Sequence, residues 1–210
     1  MENIKDIKVV YETEPLIHIR KLYMVTCKDC LNIPHAARTG HLDCLEALCK
    51  HRYYLDKVTC AFAAEFGHLD CLIYARSRGF LWDKDACRYA AANGHLDCIR
   101  YAHENNCPWD ELTCEYAAAN GHLDCLRYAH ENNCPWDKYT CAYAAKNGHL
   151  DCLIYAHVHK CPWNRDTCYW AEATGHTDCL QYAHDHGCPC KHNNKNEIKK
   201  YCSHRKNQLL

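Results

Sequence analysis

From residue 30 to residue 191 the apolar and polar positions of the chain repeat in register every 27 residues. Gly-His falls at Gly40, Gly67, Gly94, Gly121, Gly148 and Gly175, and Asp-Cys keeps step at Cys44, Cys71, Cys98, Cys125, Cys152 and Cys179. A further cysteine recurs at Cys60, Cys87, Cys114, Cys141 and Cys168. A fixed period of this length marks a stacked-repeat architecture. The units are 30–56, 57–83, 84–110, 111–137, 138–164 and 165–191. Residues 1–29 read as a capping segment, with Leu16, Ile17, Ile19, Leu22 and Tyr23 on a helix after Pro15, and 192–210 as a basic tail or cap.

Each unit reads as two short helices. In unit four, Glu111 to Asn120 is rich in helix formers and follows Asp110, whose carboxylate suits the unpaired N–H groups of a first turn. Asp56, Asp83, Asp137 and Asn164 are the equivalent caps. The eight glycines occupy only two repeat positions, the Gly-His turn and a second site held by Gly79 and Gly187. Asn106 and Asn133 share the second site, so both positions read as left-handed helix ends. Lys160 and Arg52 fall there too and are expected to make more strained turns. Pro108, Pro135, Pro162 and Pro189 follow, where a helix has to stop.

In the second helix Leu123, Cys125, Leu126, Tyr128 and Ala129 are apolar while Asp124, Arg127 and His130 are polar. That apolar stripe is too wide for a lone surface helix. A helix pair with two apolar faces hides them by stacking on units in front and behind, which predicts an all-α solenoid of six helix-turn-helix repeats, roughly 50 to 60 Å long at the usual helix spacing. Leu, Ile, Val and Phe make up only about a sixth of the chain, whereas there are 20 Cys and 15 Tyr. A thin continuous core of Ala, Cys, Tyr and Leu satisfies that composition.

Charge narrows the function. There are 25 Lys plus Arg against 26 Asp plus Glu, a net charge of −1, which argues against a general nucleic-acid clamp. No apolar run has the length of a membrane span, and MENIKDIKVV carries charges where a signal peptide carries its apolar stretch. The expectation is a reducing compartment, cytoplasm or nucleus, with the cysteines as thiols.

The segment Thr113-Cys-Glu-Tyr-Ala-Ala-Ala-Asn-Gly-His-Leu-Asp-Cys-Leu resembles the ankyrin repeat, whose helix pair reads TPLHxAAxxGHLEIV. The family period is about 33 residues. The missing residues fall between Asp110 and Thr113, where ankyrin units carry a β-hairpin finger, so little or no hairpin is expected. The Thr-Pro-Leu-His box is altered too, with Thr113 in place of Pro and Cys114 in place of Leu. The Cys-Pro-Trp-Asp version is similar to repeats of giant DNA viruses of amoebae, which implies a viral protein acting in host cytoplasm. The resemblance further implies a non-enzymatic, monomeric scaffold that binds a host protein on its concave face. Carried over by position, the binding residues are Lys57, Lys84, Glu111, Lys138 and Arg165 at the start of the first helix, and Glu65, Phe66, Ala92, Asn93, Ala119, Asn120, Lys146 and Asn147 before the Gly-His turn. They vary from unit to unit while the framework does not.

The cysteines and histidines invite a metal reading, since unit four alone offers Cys114, His122, Cys125, His130 and Cys134. Apolar substitutes at the same positions argue against it: Ile33 replaces Cys114, and Phe80 replaces Cys134. Such exchanges fit buried thiols used as small apolar filler. Equivalent cysteines in stacked units stand too far apart for a disulfide ladder, although a bridge between non-equivalent ones is open. The recurrent Gly-His histidines are read as structural hydrogen-bonding groups. Trp82, Trp109, Trp136 and Trp163 are read as a stacked ridge between units.

Two clusters fall outside the repeat logic. Cys188, Cys190 and His192 with Cys202 and His204 are candidate zinc ligands at one end, against an unmetalled cap. Cys27-Lys-Asp-Cys30 with His35 is the other, and it lacks a second CxxC. The tail cations Lys191, Lys195, Lys199, Lys200, Arg205 and Lys206 suit a solvated end or a contact with nucleic acid. No cofactor is implied and no Ser-His-Asp set or phosphate loop interrupts the repeat, so the primary expectation is protein binding. The alternatives are a metal- or redox-responsive protein working through the terminal clusters, or nucleic-acid contact through the tail.

Overall fold

The computed structural model describes residues 30–50 and 55–190. Among the described residues all regular structure is helical, with no strand. The first helices of successive units are α1 (Ile33–Thr39), α3 (Val58–Glu65), α5 (Lys84–Ala92), α7 (Glu111–Ala119), α9 (Lys138–Asn147) and α11 (Arg165–Thr174). The second helices are α2 (Leu42–Cys49), α4 (Leu69–Ser77), α6 (Leu96–Glu104), α8 (Leu123–Glu131), α10 (Leu150–Val158) and α12 (Thr177–Asp185).

The caps follow the sequence with one diversion. Asp83, Asp137 and Asn164 accept the N–H of the second residue of the next helix, and Asp56 accepts from Thr59 N–H at 2.7 Å. Asp110 makes no side-chain cap, because its carboxylate is taken by Arg88 and Lys84. All eight glycines have positive φ, and so do Asn106, Asn133 and Lys160. Lys160 thus holds a left-handed conformation that costs a Cβ-bearing residue energy. Arg52, the other expected misfit, lies outside the described residues.

Stacking explains the composition. One large aliphatic side chain per unit is fully buried, Leu45, Leu72, Ile99, Leu126, Leu153 and Leu180, and Ala and Cys fill the space around it. Neighbouring first helices pack far more extensively than neighbouring second helices. Their facing residues, such as Cys87, Ala90 and Ala91, are small and buried. The first-helix row is therefore the tighter side of the stack.

The Gly-His histidines join units. The ring of His68 lies over Gly40 of the preceding unit, and its Nε2 is 3.1 Å from the carbonyl oxygen of Arg38. Gly67, Gly94, Gly121 and Gly148 are covered in the same way by the next unit's histidine.

The thiols behave as filler. Cys107, Cys134, Cys161 and Cys188 donate S–H to the carbonyl oxygens of Asp83, Asp110, Asp137 and Asn164 at 3.2, 3.3, 3.2 and 3.1 Å. Burial pushes the thiols of Cys60, Cys98, Cys125, Cys152 and Cys179 up to about 12. These groups stay protonated at neutral pH and are poor nucleophiles. Cys168 departs from its equivalents: it is disulfide-bonded to Cys190, with 5.6 Å between Cα atoms. Cys190 stands where other units carry Trp, so the smaller side chain brings a sulfur to the place an indole would fill.

Candidate functional site

The exposed side of each first helix follows from its period. In α5, Ala86, Cys87, Ala90 and Ala91 face the core, which leaves Lys84, Asp85, Arg88, Tyr89 and Ala92 on the opposite side. Lys57, Lys84, Glu111, Lys138 and Arg165 all stand exposed at or beside first-helix starts. Two of them are engaged within the stack. Lys57 Nζ pairs with Asp83 at 2.5 Å and Lys84 Nζ with Asp110 at 3.0 Å, each bridging one unit to the next cap. Lys138 Nζ lies 5.1 Å from the Tyr139 ring centre.

At the other end of the row, Phe66, Asn93, Asn120 and Asn147 are exposed, while Glu65, Ala92, Ala119 and Lys146 are half-buried. Asn93 and Asn120 donate to the carbonyls of Tyr89 and Tyr116, both at 2.9 Å, and so close their own helix ends. Asn147 instead reaches Ala119 O of the preceding unit at 2.6 Å. Arg38 covers the Phe66 ring at 5.0 Å.

Between these two sets runs a row the resemblance does not supply. Phe62, Tyr89, Tyr116, Tyr143 and Trp170 occupy one repeat position; Tyr89 is exposed and the other four are half-buried. Lys146 binds units five and six across this row, with Nζ 6.0 Å from the Tyr143 ring and 4.6 Å from the Trp170 ring. Tyr139 stacks on Tyr143 at 5.9 Å, and Tyr169, which is 52% exposed, meets Trp170 edge-on at 5.2 Å. The aromatic surface is thus broadest over α9 and α11. Its signal in the sequence is an aromatic residue recurring every 27 positions.

Beside the row, one repeat position changes sign between units three and four, from Arg88 to Glu115, and is uncharged at Ala61, Ala142 and Tyr169. Arg88, largely buried, donates Nε to Asp110 Oδ1 at 2.8 Å and Nη1 to Asp85 at 2.9 Å. One unit on, the same repeat position holds Glu115, also buried, facing the Asp137 carboxylate. Burial first, and then the neighbouring Asp137 charge, push the Glu115 carboxyl up to about 7.

On the second-helix side, aromatic rings and histidines link neighbouring units. Trp109, Trp136 and Trp163 do not stack on one another; each lies flat on a histidine of its own unit, with ring centres of His103, His130 and His157 at 4.1, 4.0 and 3.9 Å. The same histidines meet the hydroxyls of Tyr128, Tyr155 and Tyr182 in the following unit at 3.2, 2.9 and 2.8 Å. The 27-residue displacement separates the indoles, and the histidines fill the gaps. Arg76 takes the histidine's place over Trp82 at 4.0 Å.

At the end of the stack Cys188 joins Cys168 and Cys190 in a group whose sulfurs lie within 4.8 Å of one another. His192, Cys202 and His204 lie outside the described residues. Near the start, Cys30 approaches His41 and Cys44 and not His35, whose N–H bonds Asn32 at the beginning of α1. Among the described residues no helix is long and apolar enough to cross a membrane.

A row of helix pairs with left-handed Gly turns, inter-unit histidines and a tight first-helix side defines a helical-repeat solenoid. Residues 87–130 match the family model described as ankyrin repeats (many copies). The crystal structure of the human ASB11 ankyrin repeat domain superimposes with a TM-score of 0.66 at 15% identity, covering 82% of this chain and 96% of that one. No curated protein matches the chain significantly. The chain has the fold of an ankyrin repeat domain, and its described units carry no hairpin finger.

Proposed function

We propose that the chain is a non-enzymatic protein–protein interaction scaffold that receives a protein partner on its first-helix row, as ankyrin repeats generally do. The observation that carries this reading is the line Phe62, Tyr89, Tyr116, Tyr143 and Trp170, partly open to solvent along the tighter, first-helix side of the stack. Large rigid aromatics supply contact area at low entropic cost and dominate binding energy where they are enclosed. Lys57, Lys84, Glu111, Lys138 and Arg165 along one edge, and Glu65, Phe66, Ala92, Asn93, Ala119, Asn120, Lys146 and Asn147 along the other, vary by unit and give the row its specificity. The partner is a protein of the cell in which the chain works, met in the cytoplasm by a single copy of the six-repeat array 30–191.

The test is capture of partners from a lysate of that cell on the immobilised full chain. Tyr143→Ala with Trp170→Ala is expected to reduce the specifically captured protein by about tenfold or more, as loss of central aromatic anchors does. Arg100→Ala with Arg127→Ala, on the second helices, is expected to leave capture intact. Equal capture by the first pair, or loss confined to the second, contradicts the reading, provided all variants keep the parent's circular dichroism and melting point.

A further inference from the structure

Unit one carries three soft donors at a single point. The sulfurs of Cys30 and Cys44 and a ring nitrogen of His41 all lie within 4.8 Å of one another, with Cys30 Sγ 3.1 Å from His41 Nδ1. Both cysteines are buried and the histidine is open to solvent, so the group sits just under the surface.

Local structure brings them together. His41 immediately precedes α2 and Cys44 lies in its first turn. Asn32 accepts the N–H of His35 and Pro34 follows, so α1 begins at Ile33, where Cys87 stands in unit three. The helix therefore starts nearly a turn later than α5, and the chain ahead of it carries Cys30 to the Gly-His turn. Cys30 Sγ also lies 3.7 Å from Thr39 Oγ1 beside that turn.

Packing accounts for two of the three donors but not for Cys30. The His-x-x-Cys pair recurs in every unit, and from unit two to unit six its imidazole covers the preceding glycine. At the Cys30 position the other units carry Lys57, Lys84, Glu111, Lys138 and Arg165, all exposed. Filler is not what that position selects, and a buried cysteine stands there only in unit one. The donors then read Cys30-x10-His41-x2-Cys44. Cys27 lies outside the described residues.

We propose that Cys30, His41 and Cys44 bind a Zn2+ ion. Two thiolates and an imidazole are the soft N/S set that structural zinc prefers, and with Zn–S near ~2.3 Å and Zn–N near ~2.0 Å the donor atoms of a tetrahedral site stand about 3.5 to 4 Å apart. The ion ties the chain before α1 to the start of α2. Binding releases the protons of Cys30 and Cys44 to solvent.

Full-length protein purified without chelator is analysed for zinc, then reloaded with Co2+ for visible spectroscopy. Stoichiometric zinc is expected, and a cobalt form with the intense bands of a tetrahedral thiolate site. Cys30→Ser and Cys44→Ala are expected to abolish both signals. Cys71→Ala takes the same packing loss as Cys44→Ala one unit later and is expected to retain them, as is Cys188→Ser in the cluster at the far end. Protein without zinc, zinc that survives both unit-one substitutions, or zinc lost only with Cys188→Ser overturns the proposal.

Discussion

The imidazole of His68 rests on the bare Cα of Gly40, one unit earlier, so closely that a Cβ there would come within 2.5 Å of Nδ1. Gly40 also has φ +74°, so two demands meet in one residue: a left-handed backbone and room for the next unit's ring. The turn within a unit and the joint between units are the same feature.

Substitutions separate the two demands. Gly121→Ala meets both, since its Cβ would lie 2.5 Å from His149 Nδ1, while Gly187→Ala meets only the backbone cost because nothing lies within 4 Å. Thermal unfolding should show Gly187→Ala costing about 1 kcal/mol and Gly121→Ala distinctly more, on the order of 3 kcal/mol. Equal losses would remove the steric part of the explanation.

Lys160 offers the reverse experiment. Its φ of 67° matches the 63° and 64° of Asn106 and Asn133. Lys160→Gly should raise stability by roughly 0.5 to 1 kcal/mol in urea unfolding, with no change in slope. A loss of stability would mean that the lysine side chain itself supports the turn.

Glu115 makes stability fall with pH. Its folded carboxyl titrates near 7 against an ordinary value of 4.5, so the folded state binds the proton more tightly than the unfolded chain does. Stability from this group is complete below about pH 4.5 and declines as pH rises through about 7. Glu115→Gln should therefore melt higher than the parent at pH 8, by on the order of 2 kcal/mol, and show little difference at pH 4. An unchanged difference across that range would place the carboxylate in water rather than against Asp137.

How far the chain discloses itself varies with the distance over which a feature is built. Asp83, Gly94 and Pro108 act within a few residues, and helix ends follow them directly. The all-α stack follows from repetition. The encounter of Arg88 with Asp110, and of Glu115 with Asp137, depends on how the end of a unit folds back to its own first helix, 22 residues earlier, which no local pattern specifies; that is why Asp110 reads as a cap and serves as an ion-pair partner. The Tyr89 to Trp170 row is visible as a period, but only packing shows it to be on the open side. Cys30 shows the same limit: its nearest histidine in sequence is His35, whereas a delayed helix start delivers it to His41.

Serine and alanine distinguish a thiol that fills space from one that bonds. Cys125 is 1% exposed in the middle of the stack. Cys125→Ala should cost about 1 kcal/mol for the lost sulfur contacts, and Cys125→Ser about 1 to 3 kcal/mol because a buried hydroxyl is left without a partner. Serine tolerated better than alanine would indicate a polar site.

The central claim, that thiols are inert packing between layers of a linear stack, is tested most directly by timed alkylation of the native protein with iodoacetamide, read residue by residue by mass spectrometry. Cys71, Cys98, Cys125, Cys152 and Cys179, each no more than 2% exposed, should stay unmodified until denaturant unfolds the chain and then react together. Rapid native labelling of these residues, or their recovery as mutual disulfides, would contradict the account.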